Sequence, residues 1–167
     1  MRRLVVFIRF PDGQVAIAGE LAFADLRADG SAPSAFRYAP EWLERAGAFA
    51  LDPESLPLRP GEFRASHLGP PLGVFDDSLP DDWGRRLLVL EHRLPRAEQV
   101  PARFLLESGA DTMGALAYGP DRRPPTPRRR AGTAADLAGA AERFDAGETL
   151  DDATLHRLFE AGSTPGG

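Results

Sequence analysis

Four aspartates lie close together in the middle of the chain, where they could hold a metal ion or act in acid–base chemistry. They form two pairs, Asp76 with Asp77 and Asp81 with Asp82. Carboxylates suit hard cations, but a transition-metal site usually adds imidazole or thiolate ligands. No histidine is spaced with these pairs, and the chain has no cysteine. The pattern therefore favours a plainer role, in which the acidic pairs cap and solvate the start of a helix.

The remaining chemistry-bearing residues exclude several enzyme classes. His67, His92 and His156 are far apart, and no G-x-S-x-G motif accompanies them, which disfavours a hydrolase triad. Every basic residue other than histidine is arginine. A chain without lysine cannot supply a Schiff base or the lysine of a phosphate-binding Walker motif. We therefore expect no catalysis within these residues.

The acidic pairs belong to residues 75–95, which predict a helix with a defined start and end. Ser78 and Asp81 have the spacing of a capping box, in which each side chain bonds the backbone N–H of the other residue. Pro80 falls in the predicted first turn, and Pro95 is predicted to end the helix. The apolar stripe expected to face the core consists of residues at helical spacing: Trp83, Leu87, Leu90 and Leu94.

Composition indicates a soluble globular protein. The 167 residues are 43% hydrophobic and 27% charged, enough for one good core or for one domain with the beginning of another. The net charge of −5 argues against broad binding to nucleic acid or to a membrane surface. The lack of cysteine fits a cytoplasmic location. Arg9 and Pro11 interrupt the apolar N-terminal run, so we predict no signal peptide, and no run reaches the length of a membrane span.

The pattern of elements predicts an α+β fold with a small, mostly antiparallel β-sheet and packed helices. Residues 4–10 and 14–23 predict a hairpin around the turn at residues 11–13. Further strands are expected at residues 35–38 and 114–118, with an extended segment at 56–58. Helices are expected from Pro40 through Phe49 and from Pro101 to a C-terminal cap at Gly109. Sequential antiparallel pairing is the default strand order.

The composition of the chain changes after residue 120, where arginine and proline become frequent. Residues 121–130 carry five arginines among three prolines, and we interpret residues 121–132 as a solvated, extended connection. A nucleic-acid-binding patch is the alternative for this segment, but it lacks interleaved aromatic residues. Residues 133–167 predict a helix that Thr133 caps and that runs to Phe144, then a second from Leu150 to Ala161. The predicted division is thus 1–120, 121–132 and 133–167.

An ordered set of short motifs resembles the N-terminal region of HipA-like proteins, the serine/threonine kinase toxins of bacterial toxin–antitoxin systems. Each motif alone is weak, but their order and spacing together are fairly specific, and they span roughly residues 4–167. The motifs are Phe36-x-Tyr38 with Trp42-Leu43, Leu56-Pro57-Leu58, the block at residues 75–81 with Trp83-Gly84-Arg85, Phe104-Leu105-Leu106, and Gly109-x-Asp111-x-x-Gly114-Ala115-Leu116.

The resemblance implies an N-terminal α+β region followed by a kinase-like lobe that uses ATP and magnesium. Its Gly-rich loop would begin within residues 133–167, where Ser163 and Thr164 become candidates for autophosphorylation. Gly166 and Gly167 would belong to the nucleotide-binding loop, since glycines let backbone N–H groups approach phosphate oxygens. The implied partners are the remaining kinase lobe or a separate kinase chain, and a DNA-binding antitoxin. Neither a membrane nor direct nucleic-acid contact is implied.

The chain departs from the family where catalysis would begin. The phosphate-binding lysine, the catalytic-loop Asp with its Asn, and the magnesium-binding Asp lie further on in the family. The chain alone is therefore expected to be inactive and to bind no cofactor. It is either the N-terminal part of a longer kinase or a stand-alone module that binds and regulates a separately encoded kinase. An unrelated small α+β binding domain is the third interpretation, and Ser163 to Gly167 would then be a frayed terminus.

Overall fold

A hairpin of two long strands lies at the centre of the sheet. In this computed structural model, which describes residues 2–25, 32–66, 72–112, 114–127 and 134–162, strand β1 (Arg2–Arg9) pairs antiparallel with β2 (Val15–Phe23). The turn at residues 11–13 joins them, as predicted, and Gly13 adopts a φ of 84° there. Glycine suits this position because it accepts the left-handed backbone without steric cost.

Three further strands complete a five-stranded antiparallel sheet in the order β4-β3-β2-β1-β5. Strand β3 (Ser34–Tyr38) pairs with β2, and the short strand β4 (Phe63–Ala65) pairs with β3 at one edge. Strand β5 (Leu116–Gly119) pairs with β1 at the other edge. The predicted α+β class with an antiparallel sheet is confirmed, whereas the start of a kinase-like lobe stays a prediction. The division at residues 120 and 132 also stays a prediction.

The described helices are short, and several of them pack away from the sheet. None of them, within the described ranges, has the length and apolar character needed to cross a membrane. In chain order they are α1 (Pro40–Leu43), α2 (Gly73–Asp76), α3 (Asp82–Glu91), a 3-10 turn (Arg96–Glu98), α4 (Pro101–Ser108), α5 (Ala134–Asp145) and α6 (Asp152–Gly162).

Both faces of β1 are buried, which divides the apolar side chains of the sheet into two layers. Leu4, Val6 and Ile8 belong to the main core, which α1, α2 and α4 cover with residues such as Trp42, Phe75 and Leu105. Val5 and Phe7 point to the opposite face, where they pack with Ala110 and Ala117. A continuous apolar run in β1 fits this double burial, because alternate side chains of a strand point to opposite faces.

A second core lies among the helices, away from the sheet. It joins α3 and α4 to the two C-terminal helices, so α5 and α6 pack directly against the central helix. Its buried members are Leu87, Leu88, Leu94, Phe104, Ala140, Phe144, Leu150, Leu155 and Leu158.

Gly19 allows β2 and β3 to approach closely at a bulge. The pairing of β1 with β2 shifts between Val6 and Phe7, which leaves Ala18 as the extra residue on β2. A Cβ atom on Gly19 would lie 2.6 Å from Cε2 of Phe36 and would also clash with the backbone oxygen of Arg37. Since Phe36 is fully buried, neither neighbour has free space to move into.

One prediction for residues 40–58 was wrong, the helix from Pro40 through Phe49. Helix α1 is a single turn rather than a helix reaching Phe49, because Gly47 reverses the chain with a φ of 81°, and Phe49 is 45% exposed. Residues 56–58 form no strand beyond one bridge between Leu56 and Asp52. The hydroxyl of Tyr38 instead fixes this loop, donating to the Leu56 oxygen (2.7 Å) and accepting from the Leu51 N–H (2.8 Å).

The start and end of α3 also differ from the prediction. Asp81, not Ser78, is the N-cap, and its Oδ1 accepts from the Gly84 N–H at 2.7 Å. The Ser78 hydroxyl donates to the Val74 oxygen (2.9 Å). The helix ends at Glu91, before Pro95, through a bond from the Leu94 N–H to the Val89 oxygen (2.9 Å). Arg93 supplies the left-handed residue, with a φ of 50°, that this type of C-terminal motif requires.

The cap on α3 gives a first testable prediction. Asp81→Ala should lower the free energy of unfolding by about 1 kcal/mol, because the Gly84 N–H loses its acceptor. Asp82→Ala is the matched control, since the Asp82 side chain is fully exposed and makes only a 3.8 Å contact with Arg85. Denaturant unfolding of both variants measures the difference. Equal stability losses would contradict the assignment of Asp81 as the cap.

A pair of glycine substitutions tests the packing at the bulge. Gly19→Ala should destabilise the fold by roughly 1–3 kcal/mol or more, because the added methyl group meets the backbone of β3 and the Phe36 ring. Gly139→Ala, within α5, should stabilise it by about 0.5–1 kcal/mol, because open space surrounds that Cβ and alanine favours helix. Thermal unfolding shows whether each substitution lowers or raises stability. A Gly19→Ala variant as stable as the unaltered chain would disprove the close approach of β2 and β3.

Candidate docking surface

The predicted phosphorylation and nucleotide-binding residues lie outside the described part of the chain. This applies to Ser163, Thr164, Gly166 and Gly167, and also to His67. Their proposed roles therefore stay predictions, and the site that follows is built from other residues.

Only the second acidic pair has the capping role that the sequence favours, because Asp76 and Asp77 lie at the C-terminal end of α2 and not at the start of α3. Asp81 caps α3, and Asp82 occupies its first turn with an exposed carboxylate. Across the described ranges, no group of three or more histidine, cysteine, aspartate or glutamate residues is placed to hold a metal ion. Asp81 and Asp82 therefore help to start α3, and the prediction of this role was wrong for Asp76 and Asp77.

Helix α3 has one buried side and one side that faces solvent. Leu87 and Leu88 are fully buried, whereas Leu90 is 51% exposed. The predicted stripe is therefore wrong at Leu90, and Leu88 takes its place in the core. Four consecutive apolar residues at positions 87–90 cover about 300° of a helix at 100° per residue. At least one of these four side chains therefore has to face away from the core. The run of four apolar residues was the feature in the sequence that indicated an exposed leucine, and the search for helical spacing overlooked it.

The exposed side of α3 forms a groove with α4 and the segment before it. The groove has a volume of about 420 Å³ and is open to solvent along one side. Its floor is apolar, with the half-buried Val89, the exposed Leu90 and the ring of Phe104. The residues that line it are Arg85, Arg86, Val89, Leu90, Gln99 and Phe104. We call this surface the α3 groove.

Two arginines border the α3 groove and are held over aromatic rings. The guanidinium of Arg85 lies 5.8 Å from the centre of the Phe104 ring, and its Nε donates to the Pro80 oxygen at 2.9 Å. The guanidinium of Arg86 lies 4.8 Å from the Phe144 ring. Cation–π contacts of this kind orient the planar guanidinium while leaving its edge available for hydrogen bonds.

A charged cluster fixes α4 against the end of α3. Glu107 lies at its centre, 3.2 Å from Nδ1 of His92 and 2.7 Å from the Arg103 guanidinium. Arg103 also approaches Glu98 at 3.6 Å. The position of His92 near a helix end could be predicted, but its partner on α4 could not, because the two residues are brought together by tertiary packing. The cluster therefore fixes the position of α4 relative to α3, and these two helices form the walls of the α3 groove.

The titrating groups near these helices have structural roles. Burial raises the pKa of the Tyr118 hydroxyl far above its ordinary value, so Tyr118 is neutral and packs beside Ser78 in the core. Hydrogen bonds from the backbone and hydroxyl of Thr154 lower the pKa of Asp151, which precedes α6. Neither Tyr118 nor Asp151 lines the α3 groove.

A family model described as the HipA N-terminal domain matches residues 15–119, well over half of the chain. The matched residues run from β2 to β5 and include both α3 and α4, which line the α3 groove. Helices α5 and α6 lie beyond the matched residues. No curated protein matches the chain.

Shortening a leucine side chain to alanine should affect stability strongly on the buried side of α3 and weakly on its exposed side. Leu87→Ala should cost about 2–5 kcal/mol of unfolding free energy, because Leu87 is fully buried between helices. Leu90→Ala should change it by less than about 0.5 kcal/mol, because half of that side chain already contacts water. Chemical denaturation measures both variants. A large loss at Leu90 would show that α3 presents a different side to the core.

Proposed function

The chain belongs to the HipA N-terminal domain family, and from this membership we propose that it is the non-catalytic N-terminal region of a HipA-like serine/threonine protein kinase toxin of a type II toxin–antitoxin system. The family match over residues 15–119 is the observation that carries the proposal. In this role the sheet and helices are a scaffold, and the kinase lobe supplies the chemistry. The proposed location is the cytoplasm.

ATP and magnesium belong, in this proposal, to the catalytic part of the kinase. The sequence has no lysine, and the described ranges hold no group of carboxylates placed for a metal ion. We therefore assign no nucleotide chemistry to the described residues. Ser163, Thr164, Gly166 and Gly167 are proposed to begin the phosphate-binding loop, with Thr164 or Ser163 as the autophosphorylated residue.

A stand-alone module that binds and regulates a separately encoded kinase is the second candidate function. The exposed Leu90 in an open, apolar groove supports it as a surface suited to a separate kinase chain, although a kinase lobe of the same protein would pack on such a surface under the first candidate. Under either candidate a DNA-binding antitoxin is a proposed partner of the complete complex.

Mass spectrometry on the longest product of this locus tests the kinase assignment. After expression with ATP and magnesium, peptide mapping should find one added phosphate on Thr164 or Ser163, and alanine at both positions should abolish it. A product that never gains phosphate, although its kinase modifies other substrates, would contradict the loop assignment. A phosphate-free chain that copurifies with a separately encoded kinase would favour the second candidate instead.

A further inference from the structure

The α3 groove is a concave, apolar and locally cationic surface on an acidic protein, and its partner can be specified by chemistry. We propose that the α3 groove binds an amphipathic helix of a partner protein, with an apolar side chain on Leu90 and a carboxylate on Arg86. The proposal goes beyond the proposed function, because it does not depend on which protein carries the helix.

The shape of the groove favours a peptide over a small molecule. Small-molecule sites usually enclose most of the ligand surface. The α3 groove is open along one side, and its apolar floor continues outward onto the exposed Leu90. An amphipathic helix binds such a groove by inserting apolar side chains along one face while its other face stays in water.

The charge of the groove specifies acidic residues on the partner. The protein has a net charge of −5, yet the described residues that line the groove include two arginines and no carboxylate. Among the described carboxylates, Arg85 approaches Asp82, at 3.8 Å, and the Asp82 side chain is fully exposed. Arg86 forms no ion pair within the described ranges and is stacked on Phe144. A partner carboxylate can therefore accept hydrogen bonds from an oriented guanidinium without displacing an existing ion pair.

The spacing along α3 specifies a helical partner. Arg85 and Arg86 lie one turn before Val89 and Leu90, so the cationic and apolar parts of the groove are about 6 Å apart along the axis. A partner helix lying along α3 would match them with a carboxylate and an apolar residue spaced at i, i+3 or i, i+4.

A second copy of this chain is a poor occupant of the groove. A two-fold symmetric contact places the same residues of both copies around one axis. Arg85 and Arg86 of one copy would then face those of the other, with no carboxylate among the described lining residues to compensate. Nucleic acid is also disfavoured, because the floor between the arginines and Gln99 is apolar and the whole chain is acidic.

Binding of a designed peptide to the full chain tests the proposal. The probe is a fluorescein-labelled, alanine-based helix with leucines and glutamates at i, i+4 spacing, and fluorescence anisotropy measures its affinity. We expect saturable binding that weakens at least about tenfold in Leu90→Asp and in Arg86→Glu, and in a probe with glutamine for glutamate. A probe with lysine for glutamate should recover affinity for Arg86→Glu.

Leu58→Asp is the matched control, since Leu58 is another exposed leucine (36%) that does not line the groove. It should bind the probe like the unaltered chain. Circular dichroism checks that each variant is folded. If Leu90→Asp does not fold, Arg86→Glu decides the test. Unchanged affinity in Arg86→Glu would overturn the proposal.

Two competing occupants provide further decisive outcomes. Concentration-dependent dimers, abolished by Leu90→Asp in sedimentation experiments, would overturn the proposal in favour of self-association. Binding of a DNA duplex that depends on Arg86 would overturn it in favour of nucleic acid. The peptide assay contains no kinase, so its failure leaves the kinase assignment intact. Failure to copurify with a kinase, in turn, leaves the peptide result unaffected.

Discussion

The fold depends on burying strand β1 on both of its faces. Leu4, Val6 and Ile8 need one apolar layer, and Val5 and Phe7 need another. A sheet cannot cover its own faces, so the segments between β3 and β5 contribute to both layers before the chain returns to the sheet. It returns in β5, which pairs with β1 at one edge and contributes Ala117 to the second layer. The order of elements from α1 to β5 follows from this requirement, because all the covering helices precede that last strand.

Helix α4 connects the sheet to the core among the helices. Helix α3 packs with α4 on one side, and α4 contributes Leu105 to the core against the sheet and Phe104 to the core among the helices. Helices α5 and α6 cover α3 through Phe144 and Leu158. These three helices cover only part of the surface of α3, and one strip of it remains exposed. The α3 groove is that strip, so its position follows from how α4, α5 and α6 pack on α3.

Local patterns in the sequence predicted the parts of the structure that local physics decides. The hairpin, the strand at Phe36 and Tyr38, and the glycine cap of α4 at Gly109 follow from alternation and turn chemistry, and they are confirmed. Strand β4 was missed because it has three residues and forms only by pairing with β3. The groove was missed because Phe104 meets Arg85 only through tertiary packing. Non-local contacts of this kind leave no periodic signal.

The arginine-only composition has a structural consequence at the groove. Arginine stacks its planar guanidinium on an aromatic ring and still presents a row of N–H donors, whereas lysine carries a compact charge on a flexible chain. The guanidinium groups of Arg85 and Arg86 lie over the rings of Phe104 and Phe144, and these contacts restrict the direction in which the remaining donors can point. Lysines at the same positions would keep the charge and lose that direction. The groove can therefore select the position of a carboxylate as well as its charge, which a mobile cation cannot do.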